Sequence, residues 1–505
     1  MILYERIKTE YFYSLSTLIL SDIMSRSTLS LKIVYEEFLQ FEDEFSLFSA
    51  KIAGISFWER IRDEVFRAII SRYSEVKIRR RRRVERKKER KFVLFLRKIR
   101  NYLIVMTQFR LNPLLAKQHA ILVLNSSRRK LKEDGKWWDV YTDHIINRMV
   151  YSSLSIERGF EFNFSIPAET KNLRYCTYID LMVDLKKNLK LGSIKFTDEE
   201  IIYLRKMSQA IKSRFKLTID LVDLVNNKLA LRKRILPFYR KVLKKVQPQL
   251  ILLVGSCGKE TFIEACKEKN IPVVEIQHSA ISKYHVGYSF DGYRTKDNFP
   301  DYIFTFGDYW NESANYPIEE DKIFSIGFPE LEISKERCAK IEKKKQIVFI
   351  SQPGGGIHLS RLAADLSKVE NLGYKVLYKL HPTETITWKE EYPLLLKTEV
   401  EVIAGEEKDL HELLAESEIQ IGINSTALFE GLYFGAKTML FDYFGIDSME
   451  ELLRSKLAVK ITDLEDLVDK IKKMKTKEFD IEYFFRKDSL KNVATRLKKM
   501  MEGKD

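Results

Sequence analysis

Cysteine is scarce in this 505-residue chain: Cys176, Cys257, Cys266 and Cys338 are the only four, with no C-x-x-C pair and no metal-ligand spacing. That excludes a disulfide scaffold and a zinc ribbon, and free thiols in apolar stretches act as small hydrophobes suited to a reducing cytoplasm. Long apolar runs are missing too. Nothing approaches the roughly 18 to 20 uncharged residues that span a bilayer, so no transmembrane helix is expected. The opening MILYERIKTEYFYSLSTLILSDIM carries acidic residues and hydroxyls through its apolar part, so no signal peptide is expected either.

What is present is enough apolar material for real cores. Hydrophobic residues make up 45% of the chain and aromatic residues 12%, and the length predicts two or three domains of about 150 residues each. The net charge of +15 is unevenly spread. Between Lys77 and Arg100 fourteen basic residues meet only Glu85 and Glu89, so this segment supplies +12 and leaves +3 for the rest. Such a local excess points to one anionic surface met at one place. The run passes into KFVLFLRKIRNYLIVM, where a helix would have a greasy side and a cationic side, as lipid-surface helices do. A solvated basic helix is the alternative. No aromatic residue lies between Ile78 and Lys91 to stack on bases, so no nucleic acid is expected.

Residues 1–112 read as a helical, basic accessory region, with apolar positions at three- and four-residue spacing in VYEEFLQFEDEFSLFSAKI and ISFWERIRDEVFRAIISRY. From HAILVLNSS onward, short apolar strands alternate with helical stretches: PQLILLVGS, IPVVEIQHS, DYIFTFGDY and KIFSIGFPE. After the charged LEISKERCAKIEKKK a second series follows: QIVFISQPGGG, YKVLYKLHP, VEVIAG, EIQIGINST, AKTMLFDYF and LAVKI. Alternating strands and helices imply βαβ units and parallel sheets. The expected fold class is therefore α/β: a Rossmann-like domain over 113–335, another over 336–480 facing it across a cleft, and a C-terminal helix over 481–505.

In the second series three strands end in polar loops. Gly354 and Gly355 in SQPGGG let a backbone approach a ligand and offer amides to an anion. His381 and Pro382 close the strand of YKLHPTE, and Ser425 and Thr426 open the helix of STALFEGLYFGA, where amides and dipole attract phosphate. Taken singly, Ser425 is an ordinary N-cap and His381 a strand-end histidine bonded to its loop. Taken together, they point to a bound phosphate.

KLHP followed by NSTALFEGLYFG resembles the nucleotide-binding half of GT-B glycosyltransferases that make surface polymers: Kdo transferases of capsule synthesis, bacterial sialyltransferases and CDP-glycerol glycerophosphotransferases. That resemblance implies a glycosyltransferase moving a sugar from a nucleotide-activated donor, a CMP-linked nonulosonate or Kdo favoured, to a surface glycan or lipid-linked acceptor. It makes His381, Pro382, Ser425 and Thr426 donor-binding residues and assigns Glu430 to the ribose hydroxyls; Gly354 and Gly355 of the glycine loop and Lys379 are expected in the same donor site. The D/E-D/E-G motif of the sialyltransferase-like members is matched by Glu133-Asp134-Gly135, which implies Glu133 or Asp134 as the base that takes the acceptor proton in an inverting transfer. Asp139 and Asp143 stay open as alternatives, and an exposed Asp-Gly turn is the plain reading of the motif. EIQHSAISKYHVGYSF resembles the Gln-His-Gly segment of capsule-synthesis proteins with Ser279 in place of glycine, and offers His278 to the departing phosphate and His285, with Asp143, to the acceptor. No Asp-x-Asp flanked by apolar residues occurs, so transfer is expected to need no metal and no cofactor, the nucleotide sugar being a substrate. The expected location is the cytoplasmic face of the membrane, with Lys77 to Arg100 on anionic lipid. A GT-B nucleotide-sugar epimerase and a non-enzymatic lipid- or RNA-binding protein are the competing readings.

Overall fold

The structure, a computed structural model, describes residues 30–74, 100, 103–126, 128–132, 134–158, 164–405, 408–475 and 477–503. Glu133 and, apart from Arg100, the basic run from Lys77 lie outside the described residues. The chain divides into two compact units. Of the described residues, the N-terminal unit takes 42–66, 100–340 and 478–503; the C-terminal unit takes 30–41, 67–74 and 341–477.

The N-terminal unit is built on seven strands: β1 (Ile121–Leu124), β2 (Ser153–Glu157), β3 (Leu173–Tyr175), β4 (Leu250–Val254), β5 (Val273–Ile276), β6 (Tyr302–Thr305) and β7 (Ile323–Ser325). Their order is β3-β2-β1-β4-β5-β6-β7, with every pairing parallel. The C-terminal unit has six: β8 (Lys344–Ile350), β9 (Lys375–Lys379), β10 (Glu401–Ile403), β11 (Ser417–Gly422), β12 (Lys437–Phe441) and β13 (Ala458–Ile461). Their order is β10-β9-β8-β11-β12-β13, again all parallel. In both sheets the chain starts in the middle, runs to one edge, and returns to build the other. This is the doubly wound order, and its ligand crevice opens at the carboxyl ends of the two central strands.

Parallel strands covered on both faces need continuous apolar sequence; LILLV of β4 is buried at all five positions. In the N-terminal core Leu122, Leu154 and Ile251 pack with Ile179 of helix α3 (Thr177–Asn188), Val242 of α5 (Leu221–Val246) and Ile263 of α6 (Glu260–Lys267). Helix α4 (Asp198–Phe215) starts in a capping box: the Thr197 hydroxyl accepts from Glu200 N at 3.2 Å and the Glu200 carboxylate from Thr197 N at 2.9 Å. In the C-terminal core Ile347, Val376 and Ile421 meet Leu359 of α8 (Gly356–Leu366) and Leu467 of α11 (Leu464–Lys473).

The expected N-terminal helices are present as α1 (Leu31–Glu44) and α2 (Trp58–Tyr73). Within the N-terminal unit, the fully buried Glu42 accepts from Trp58 Nε1 at 2.7 Å, Arg62 Nε at 2.6 Å and Arg294 Nε at 3.0 Å. The last helix, α12 (Ser489–Met501), also belongs to this unit, and Glu332 of α7 (Pro329–Arg337) accepts from its first amide at 3.0 Å. Among the described residues no helix is long and apolar enough to cross a membrane.

Candidate functional site

The crevice of the C-terminal sheet lies between the carboxyl ends of β8 and β11, and β9 is the next strand beyond β8. The loop after β8 is Ser351–Gly355, the loop after β11 is Ile423–Ser425, and β9 runs into His381. The three polar strand ends singled out in the sequence are therefore lateral neighbours, although Gly356 and Ile423 stand 67 positions apart in the chain.

A reciprocal pair of hydrogen bonds ties the two central loops together. Gln352 Nε2 donates to Asn424 Oδ1, and Asn424 N donates to Gln352 Oε1 at 3.0 Å. Asn424 Nδ2 reaches on to the Gly445 carbonyl at 3.3 Å. The glycines have packing reasons to be there. A Cβ on Gly355 would strike Ile423, and one on Gly356 would strike the Tyr392 hydroxyl; Gly354 sits at φ +104°, where side chains are strained.

His381 is held by the turn it begins. Its backbone N donates to Glu384 Oε2 at 2.9 Å, and Tyr392 donates to Glu384 Oε1 at 2.7 Å. Burial pushes the Glu384 carboxyl up, while the Tyr392, Ser351 and His381 hydrogen bonds pull it down. His381 Nδ1 lies 2.8 Å from Thr383 Oγ1 and accepts from Thr383 N at 3.2 Å, which fixes the ring against its own turn. The buried Tyr378 hydroxyl donates to the Gly356 carbonyl at 2.9 Å, joining β9 to the glycine loop from below.

Ser425 is the N-cap of α10 (Thr426–Tyr433), its hydroxyl accepting from Ala427 N at 3.3 Å, with Thr426 as the first helical residue. Glu430, one turn on, pairs with buried His411 of α9 (Leu410–Glu416) at 3.3 Å, and the His411 ring stacks on Phe434. Lys379 Nζ donates to the carbonyls of Gly405 at 2.6 Å and Lys408 at 3.3 Å, and Pro382 is exposed in the turn. Gln352, Glu384 and His411 escaped the sequence reading. Gln352 and Glu384 stood inside the quoted stretches SQPGGG and YKLHPTE, but only the contacts reveal their work.

The remaining expected residues belong to the N-terminal unit. Asp134 is on the exposed turn of a short hairpin, Arg129–Leu131 with Trp137–Asp139, whose Gly135 has φ +78°. Its carboxylate accepts from Lys136 N at 3.0 Å, and that bond with the Lys136 ammonium holds its pKa below the usual carboxylate range. Asp143 is 1% exposed; it accepts from Thr170 Oγ1 at 2.6 Å and Asp139 N at 2.7 Å and lies 3.7 Å from Arg129. Asp139, wholly buried, accepts from the amides of Tyr141 and Thr142; burial and the Asp143 charge push it up to about 6. Both carboxylates thus accept backbone hydrogen bonds from within the segment 139–143.

His278, after β5, covers Gly255, where a Cβ would meet the ring at 2.7 Å, and its carbonyl accepts from Tyr141 Oη at 2.8 Å. Burial, then the charges of Lys259, His285 and Arg128, lower its pKa to about 4, so the ring is neutral at physiological pH. His285 Nδ1 accepts from Gly287 N at 3.2 Å, with its ring edge-on to Tyr288.

No family model matches the chain and no curated protein does. Solved structures do. The UDP-GlcNAc 2-epimerase of Methanocaldococcus jannaschii, in complex with UDP-GlcNAc and UDP, aligns at 12% identity over 76% of this chain and 99% of that one, with a TM-score of 0.43. The UDP-GlcNAc 2-epimerase of Neisseria meningitidis, bound to UDP-GlcNAc, aligns at 13% identity over 76% and 99%, TM-score 0.43. A spinosyn rhamnosyltransferase aligns at 11% identity over 76% and 95%, TM-score 0.38. The fold assignment rests on the strand orders: two doubly wound parallel sheets in one chain form the two-domain α/β class, GT-B, expected from the sequence.

Proposed function

We propose that the protein is a GT-B glycosyltransferase that binds a nucleotide sugar in its C-terminal unit and moves the sugar to a surface glycan or lipid-linked acceptor, a CMP-linked nonulosonate or Kdo being the favoured donor. One observation carries this reading. Three neighbouring strand ends at the switch point of the C-terminal sheet combine a glycine loop, a histidine fixed by its own turn, and a serine-capped helix start. Each suits a phosphate oxygen, and a diphosphate or nucleoside monophosphate needs several such donors at once. In this reading His381 and the first turn of α10 neutralise the departing phosphate. A carboxylate, Asp134 or Glu133, takes the proton from the acceptor hydroxyl as the anomeric carbon separates from its nucleotide. No metal is required, and turnover unaffected by EDTA is the expected result. Lys77 to Arg100 hold the enzyme on anionic lipid.

The test is thermal stabilisation by CMP, CDP, UDP, GDP and dTDP, because a ligand bound only by the native state raises its melting temperature. Selective stabilisation by CMP that is lost in His381→Ala and Ser425→Ala supports the donor assignment; stabilisation by none of the five overturns it. Asp134→Asn should lose turnover while keeping nucleotide stabilisation, and full turnover in this variant would move the base elsewhere. Change of the donor sugar without any acceptor would make the enzyme an epimerase instead.

A further inference from the structure

With 72 acidic residues in 505, one is expected about every seven positions, yet none occurs between Glu89 and Glu133 or between Asp184 and Asp198. Lysines and arginines recur through both stretches. In the N-terminal unit the described parts of the two stretches come together at the β3 edge of the sheet. The turn Phe109–Leu111 packs on β3, and the Phe109 ring stands edge-on to Tyr178 of α3 with centres 5.2 Å apart.

Helix α3 is apolar on more than the side it buries. Ile179 and Val183 face the core. Tyr178, Met182 and Leu185 form a second line at spacings of four and three, and Leu189 continues it past the helix end. Asp180 and Asp184 fall off that line, and Asp180 pairs with Arg158 at 3.3 Å. The helix then closes on itself: Leu191 N donates to the Lys186 carbonyl at 2.9 Å and Lys190 N to the Lys187 carbonyl at 3.0 Å. Glycine is the usual residue at the left-handed position of such a closure, and here it is Lys190, at φ +55°. Backbone preference gives no reason for a lysine there. The outcome is a helix end on which Leu185, Leu189 and Leu191 are interleaved with Lys187 and Lys190, all exposed.

Leu103, Met106 and Phe109, on the neighbouring stretch, are exposed as well, and the six apolar residues lie between 36% and 61% exposed. Large apolar side chains exposed in a group mark a contact surface. Charge then selects what covers it. A second copy of the chain would set the same cations against one another. Nucleic acid would meet the cations but offers no home to aliphatic side chains. An anionic lipid surface takes both, the apolar groups at the headgroup–acyl boundary and the ammonium groups at the phosphates. The basic run also ends at this place: Arg100 precedes Leu103 by three positions.

We infer that this face docks on an anionic lipid surface, its leucines, Met106 and Phe109 entering the headgroup boundary and Lys187, Lys190 and Arg110 meeting lipid phosphates. The choice of lipid rests on the reading of Lys77 to Arg100 given above; the face itself, and its insertion, do not depend on the donor site.

The experiment titrates the full chain with vesicles of phosphatidylcholine alone and of equimolar phosphatidylcholine and phosphatidylglycerol. The wild type should bind the anionic vesicles at least tenfold more tightly. The triple variant Leu185→Ser, Leu189→Ser, Leu191→Ser should bind them at least about tenfold more weakly than wild type, since taking even one leucine out of water is worth about tenfold. Leu396→Ser, at an equally exposed leucine of the C-terminal unit, should match the wild type. Lys187→Gln with Lys190→Gln should weaken binding severalfold and flatten its salt dependence. Tryptophan in Leu189→Trp should be quenched by brominated acyl chains beyond the quenching seen in wild type. Unaltered anionic binding by the triple serine variant, absence of the added quenching, or equal binding to both vesicle types overturns the docking face. A dimer that the triple serine variant abolishes, with no vesicle binding by the wild type, would make a second copy the occupant and overturn the lipid. Replacing Arg79 to Arg83 with glutamine separates the two readings: if that change alone abolishes binding and the serine variant binds fully, the basic run stands and the face falls, and the reverse result keeps the face and sinks the run.

Discussion

Gln352→Ala separates a loop clasp from incidental contact. In the native chain Gln352 donates one hydrogen bond to Asn424 and accepts another from it, and both residues are half-buried. Each such bond is worth about 0.5–1.5 kcal/mol net, so losing two costs about 1–3 kcal/mol. For a unit of this size about 1 kcal/mol lowers the melting temperature by about 2–4 °C. The transition of the C-terminal unit should therefore fall by several degrees. The larger effect should be on function, because the clasp sets the spacing between the glycine loop and Ser425, and a phosphate bridging them tolerates little drift. Nucleotide affinity should fall tenfold or more, about 1.4 kcal/mol. Gln352→Glu is the sharper probe: its carboxylate still accepts from Asn424 N, cannot donate to Asn424 Oδ1, and places a negative charge beside the phosphate position. It should keep more stability than Gln352→Ala and bind nucleotide no better. Nucleotide titration with unfolding curves checks both. Wild-type nucleotide stabilisation in Gln352→Ala would refute the idea that the clasp positions the site.

Two further perturbations test the N-terminal unit. Glu42→Ala removes the shared acceptor of Trp58, Arg62 and Arg294, leaving two buried guanidinium groups short of a counter-charge; it should cost about 3–5 kcal/mol in chemical denaturation. A cost below about 1 kcal/mol would show the cluster to be dispensable. His278, lowered to about 4 against an ordinary value near 6.5, binds its proton more readily unfolded than folded. Its contribution is intact above pH 6.5 and is lost as pH falls toward 4, by about 2 kcal/mol at pH 5. Asp139, raised to about 6, acts in the opposite direction below that pH, so the quantity to measure is the difference between wild type and His278→Gln. The variant should lose less stability than wild type between pH 7 and 5; parallel curves would contradict the buried neutral ring.

The quoted apolar stretches from HAILVLNSS to LAVKI all became strands of the two parallel sheets, because each is a short apolar run bounded by turn residues. Two strands of those sheets were illegible. β2, Ser-Leu-Ser-Ile-Glu, is buried at all five positions, yet its polar residues break the apolar signal; Glu157 is buried because Arg129 meets it at 2.8 Å. β3 is only three residues long. A polar residue in a parallel strand is affordable only with a partner from elsewhere in the chain, and no local pattern announces that partner.

At the candidate site the division is the same. The sequence by itself determined what acts over a few residues: a strand stopped by His381-Pro382, a helix capped by Ser425, a glycine loop after a strand. Backbone preference and capping chemistry are local, so they can be read locally. Only the tertiary structure decided which strand ends stand side by side. It also decided that Gln352 clasps Asn424, that Glu384 carries the His381 turn, and that Phe109 meets Tyr178 of α3. Sheet order and burial set those contacts, and both depend on residues dozens to hundreds of positions apart.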